Sequence, residues 1–78
     1  MKMICDPAVV GRRLRSIRKG LGFSGQKLAD VAGLSAYTIF ALELGRGLPN
    51  LYTVIRICEV LGITPNDLVC DDTDEMDG

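Results

Sequence analysis

The side chains of this 78-residue chain that can do chemistry are cationic rather than nucleophilic. Arg12, Arg13, Arg15, Arg18 and Lys19 crowd one early segment. The formal net charge is −1, but the charge is unevenly placed. Residues 1–70 carry nine basic and five acidic side chains, a net +4, whereas residues 71–78 carry five acidic ones and no base. A basic body suits a polyanion, and an acidic tail can screen or compete for the same face. On charge alone, an ordinary solvated helix face is the favoured reading of the basic run.

Catalysis is not expected. The chain has no His, and no Ser, Thr or Cys stands in a recognisable nucleophile setting. There is no phosphate-binding loop or dinucleotide fingerprint, since Gly20-Leu21-Gly22 and Gly45-Arg46-Gly47 read as helix stops. Cys5, Cys58 and Cys70 are far apart and form no CxxC, so neither a metal site nor another cofactor is predicted. Cys58 falls on an apolar helix face and reads as core, while Cys5 and Cys70 read as free thiols. No apolar run approaches the roughly 20 residues that span a bilayer. The first residues lack the apolar region of a signal peptide. The expectation is one cytoplasmic domain with 47% hydrophobic residues, too many for a disordered chain.

The elements that must position the cations are helices. Asp6-Pro7 suits a helix start, and Val10, Leu14, Ile17 and Leu21 recur at helical spacing before a stop near Gly20–Gly22. Ser24 is a good cap for a second helix running to about Ala32, where Gly33 takes the left-handed conformation. Ser35 caps a third helix to about Leu44. A loop over 45–50 follows. A fourth helix begins near Asn50, buries Leu51, Val54, Ile57, Cys58 and Leu61, and ends at Gly62. Thr64 caps a last short helix from Pro65 to about Val69. No segment alternates as a strand would. Residues 1–6 are expected to be a loose arm and residues 71–78 an acidic disordered tail.

Residues 24–49, SGQKLADVAGLSAYTIFALELGRGLP, are the densest signal. Leu28, Ala32, Leu34, Ile39 and Leu42 are its apolar positions, and Ala29 is small where two helices meet. A short helix, a glycine turn and a steeply crossing second helix make the helix-turn-helix plan. Its second helix can be offered to the DNA major groove.

Over roughly residues 8–70 the chain resembles the Cro and lambda-repressor-type helix-turn-helix family, also called the XRE family. GRRLRSIRKGLGFS, KLADVAGLS, TIFALELGRGLP and LYTVIRICEVLGITPNDL carry the resemblance in order. It implies an all-α, five-helix, lambda-repressor-like DNA-binding domain over residues 7–70. It implies a repressor-like transcriptional regulator that binds double-stranded operator DNA as a homodimer through the third helix. It also implies an Arg18–Glu43 ion pair, phosphate contacts at Gly25, Gln26, Lys27, Ser35 and Arg46, and base-facing positions at Ala36, Tyr37, Thr38, Phe40 and Ala41. Ile63, Leu68, Val69 and Cys70 are the candidate dimer surface, with core closure as the alternative for Ile63 and Leu68.

The sequence departs from that family in two places. Gly25 stands where Gln commonly follows the capping residue, and Gln26 is displaced by about 100° around the helix. The third helix also lacks Arg, Lys, Asn or Gln at its outward positions, so it has no bidentate base reader. One outcome is DNA binding through phosphates, shape and methyl contacts. Another is a protein-interaction module, antitoxin-like or anti-repressor-like, using the exposed Phe, Tyr and Leu row. A third is that Phe40 and Leu44 fold back as core.

Overall fold

A computed structural model of the protein describes residues 2–3 and 6–71, and the side chains of residues 6–68. The chain starts on a short strand, β1 (Lys2–Met3), and continues through α1 (Pro7–Gly20), α2 (Gly25–Ala32), α3 (Ala36–Glu43), α4 (Leu51–Leu61) and α5 (Pro65–Val69). It returns as β2 (Cys70–Asp71), antiparallel to β1, with Lys2 opposite Asp71 and Met3 opposite Cys70. The five helices are those the sequence predicts. The ladder is an addition, because two residues per strand are too few to leave an alternating pattern. It ties Lys2 and Met3 of the expected loose arm to Cys70 and Asp71. The rest of the predicted acidic tail, 72–78, lies outside the described residues.

Each of the first four helices begins where a capping side chain accepts from one of its free N–H groups. Asp6 accepts from the Ala8 N–H at 2.9 Å, and Asn50 accepts from the Thr53 N–H at 2.8 Å. For α5 the Thr64 hydroxyl does not cap as expected: the Asp67 carboxylate accepts from the Thr64 N–H at 2.9 Å and from its hydroxyl at 3.2 Å. Arg56 of α4 donates from Nε to the Ala32 carbonyl at 3.0 Å, satisfying an open carbonyl at the end of α2.

The core gathers Leu14 from α1, Leu28 and Ala29 from α2, Ile39 and Leu42 from α3, Val54, Ile57, Cys58 and Leu61 from α4, and Leu68 from α5. One expectation on α4 needs correcting. Leu51 is 73% exposed, and Thr53 is buried in its stead. Thr53, Val54, Ile57, Cys58 and Leu61 form one continuous arc, and Leu51 stands at its edge in the first turn. Leu68, a candidate dimer residue, is fully buried and closes the core, while Ile63 is half-buried against it. The side chains of Val69 and Cys70 lie outside the described ones. Among the described residues no helix is long and apolar enough to cross a membrane.

Burial, with the nearby charge of Asp67, pushes the Cys58 thiol above its ordinary 9.0. The folded chain therefore holds a proton that the unfolded chain releases first. The stability linked to this group is complete below about pH 9 and is lost as pH rises through the higher folded value. We expect iodoacetamide to leave Cys58 unmodified in the native protein at pH 8 and to modify it in urea, read by peptide mass spectrometry. Equal native and urea rates at Cys58 would contradict this packing.

Candidate nucleic-acid interface

The geometry of α3 is set first by local chemistry. The Ser24 hydroxyl accepts from the Lys27 N–H at 3.0 Å and starts α2. Gly33, at φ 72°, turns the chain out of α2 in a conformation that strains any residue with a Cβ. The Leu34 N–H then bonds back to the Ala29 carbonyl at 2.9 Å. Ser35 accepts from the Thr38 N–H at 3.1 Å and starts α3. Ala29, Ala32 and Ile39 are fully buried, so the two helices meet on small and apolar surface.

A buried ion pair then fixes the far end of α3. Arg18 Nε donates to Glu43 Oε2 at 2.6 Å, and Nη2 donates to Oε1 at 2.9 Å. Nη1 donates to the Phe23 carbonyl at 2.8 Å. One guanidinium thereby holds α1, the α1–α2 link and the last turn of α3. The Glu43 hydrogen bond raises the Arg18 pKa further, burial opposes it, and the charge of Glu43 adds to the rise. Gly11 allows this approach, since a Cβ there would run into the Leu42 carbonyl and lie 2.9 Å from that of Glu43.

With Ile39 and Leu42 inside and Glu43 clamped, the other face of α3 looks outward. Tyr37 is 71% exposed, Phe40 47%, and Leu44, just past the helix, 64%. Neither Phe40 nor Leu44 is folded back as core. Ala41 and Thr38 are half-buried, and the Thr38 hydroxyl is 2.8 Å from that of Ser35. Ala36 was expected to face bases, but it leans on the core at the first position of α3. The Phe40 ring lies over Gly25, where a Cβ would come 2.5 Å from Cε1 and 2.8 Å from Cζ. On the α1 side of Phe40 a groove of about 280 Å³ is lined by Arg15, Arg18, Glu43 and Leu44.

The predicted phosphate contacts have diverse surroundings. Lys27, at the start of α2, and Arg46, in the loop after α3, are exposed, as is Ser35. Gln26 is exposed, but its amide donates to Asp30 Oδ1 at 2.9 Å. Gly25 is buried and has no side chain to offer. Arg12, Arg15 and Lys19 stand exposed on α1. The place of Arg15 beside Phe40, the bond of Arg56 to the Ala32 carbonyl and the packing of Gly11 against α3 were not anticipated from the sequence, where Arg15 counted only as part of the basic run. Gly11 carried a signal, since a glycine inside a helical pattern marks close packing. The other two arise from long-range packing and left no local trace. Among the described residues no group of His, Cys, Asp or Glu is placed to hold a metal ion.

Comparison with known proteins matches residues 11–70 to the family described as helix-turn-helix domain. A prophage-derived HTH-type transcriptional regulator of Bacillus subtilis, YonR, is 30% identical over 59 residues. The match takes in 76% of this chain, which spans only 55% of that relative. The restriction-modification controller protein C.AhdI of Aeromonas hydrophila superposes with a TM-score of 0.77 at 30% identity, over 81% of this chain and 96% of its own. The P22 c2 repressor, solved in complex with a synthetic operator, gives a TM-score of 0.77 at 26% identity, over 82% and 97% of the two chains.

The clamp makes a sharp prediction. Glu43→Ala strands a buried guanidinium and should cost about 3–5 kcal/mol, whereas the double substitution Arg18→Met with Glu43→Leu should recover most of the loss. Urea unfolding checks both. A single substitution as stable as the parent would mean that the pair does not hold α3.

Proposed function

The chain belongs to the helix-turn-helix domain family, in its Cro and lambda-repressor-type form, and on that premise we propose that it is a DNA-binding transcriptional regulator. It acts by binding rather than by catalysis, and in the cytoplasm. The observation that carries the reading is the outward face of α3, with Tyr37 at its most exposed position, on a helix whose opposite side is locked by Ile39, Leu42 and the Arg18–Glu43 pair. Such a helix is rigid and free on one side, as insertion into a major groove requires. Lys27 and Arg46 hold phosphates on either side of it in sequence, and Ser35 contributes its exposed hydroxyl. The Gln26 amide joins them by exchanging Asp30 for a phosphate oxygen.

We place the protein on a two-fold related operator as a homodimer, with the two copies of α3 about 34 Å apart. Support comes from the resemblance to C.AhdI and to the operator-bound P22 c2 repressor. Leu68 takes no part in the subunit contact, because it is spent on the core. A protein partner on the apolar side of α3 is the less favoured reading, since it leaves the exposed cations without a role.

Titration against mixed-sequence duplex DNA at several salt concentrations tests the proposal. The logarithm of the affinity should fall with the logarithm of salt at about −0.9 per phosphate neutralised. Arg46→Ala should weaken all sequences alike and make the slope shallower by about one such step. Tyr37→Ala should change the sequence preference instead. No binding at low salt would end the DNA reading, and an unchanged preference in Tyr37→Ala would reduce that residue to packing.

A further inference from the structure

The outward side of α3 says what kind of base edge it accepts. Its polar groups are almost all committed elsewhere. Glu43 is held by Arg18, and the Thr38 hydroxyl sits 2.8 Å from that of Ser35. What remains toward solvent is the ring of Phe40, the methyl of Ala41, the ring and single hydroxyl of Tyr37, and Leu44 beyond them. Guanine shows two acceptors in the major groove, cytosine a donor, and adenine one of each. An apolar side chain pressed on any of these strips water and returns no hydrogen bond. Thymine alone offers an apolar group there, its C5-methyl.

Phe40 is also built to stay where it is. Its ring lies across Gly25, so close that a single added carbon on α2 would displace it. The glycine that removes a phosphate-binding side chain from α2 is thus the one that makes room for the ring. Backed by α2, the ring gives up little freedom when a base edge arrives. The two departures of this sequence, at position 25 and along α3, are one arrangement.

Resting on the DNA-binding reading above, we propose that α3 reads thymine C5-methyl groups through Phe40 and Ala41, with Tyr37 supplying the one directional contact. The preferred half-sites present A·T pairs to the middle of α3. Specificity then comes from methyl groups gained, not from bidentate hydrogen bonds, because an A·T pair leaves as many polar edge groups unpaired as a G·C pair does.

The test uses the full chain and a random-sequence duplex pool, followed by fluorescence anisotropy on the enriched duplexes. Each is remade with deoxyuridine in place of thymidine, which removes the methyl and leaves every hydrogen-bonding group in both grooves. Enriched duplexes should carry thymines under α3, and uracil should weaken binding about fourfold per contacted methyl, with the salt slope unchanged. Phe40→Ala should bring the thymine-to-uracil ratio down toward one, again at constant slope. Because the first comparison alters only the DNA, it holds even if a protein variant folds poorly.

Salt-dependent binding of the pool with no thymine preference, or with equal affinity for uracil, overturns the methyl reading and leaves DNA binding standing. No binding of any duplex at low salt overturns both. A ratio unchanged in Phe40→Ala removes Phe40 as the reader. If Phe40→Ala instead keeps full DNA affinity and dissolves a complex seen on size exclusion, the face is a protein contact and the proposal fails.

Discussion

The arrangement depends on one buried guanidinium. Arg18 satisfies both oxygens of Glu43 and the Phe23 carbonyl, and so ties α1 and the link that follows it to the last turn of α3, 25 positions away in sequence. Two charges taken out of water lose their hydration, and the pair recovers that cost only with complete hydrogen bonding. Here the bonding is bidentate and nearly closed to solvent. The net gain in stability is modest. What the pair secures is the placement of the last turn of α3, since any other tilt would leave a charge stranded. Gly11 completes the constraint by letting α1 lie directly on the carbonyls of Leu42 and Glu43.

That constraint explains how α3 can be apolar on almost every side and still keep one side out. An eight-residue helix with Ile39 and Leu42 inside and Tyr37, Phe40 and Leu44 outside has little preference of its own for which face to bury. The Glu43 carboxylate breaks the tie, because it reaches Arg18 in only one orientation of the helix. Gly25 allows a second anchor, receiving the Phe40 ring on α2. The exposed apolar surface is therefore held by packing, not left over from it.

The helix boundaries were legible because their causes are local. Asp6, Ser24, Ser35 and Asn50 bond to N–H groups two or three residues on, and Gly33 and Gly62 adopt the left-handed conformation at helix ends. The ion pair was legible only through family resemblance, since 25 residues separate its partners. The stacking of Phe40 on Gly25 and the reach of Arg56 to Ala32 depend on how helices cross, which no spacing rule contains. Leu51 misled for a related reason. It fits the helical period of α4, but it sits in the first turn at the edge of the buried arc, and Thr53 takes the covered place. The two-residue ladder between the chain's ends was invisible for want of length.

The central claim is that the outer side of α3 meets duplex DNA while the outer side of α4 does not. Both expose apolar residues: Tyr37, Phe40 and Leu44 on the first, Leu51, Tyr52 and Ile55 on the second. Backbone amide shifts followed by two-dimensional nitrogen–proton NMR during a duplex titration separate them directly. The account predicts changes concentrated at residues 25–27, 36–41 and 46, with Leu51, Tyr52 and Ile55 unmoved. Shifts confined to α4, with α3 silent, would contradict it.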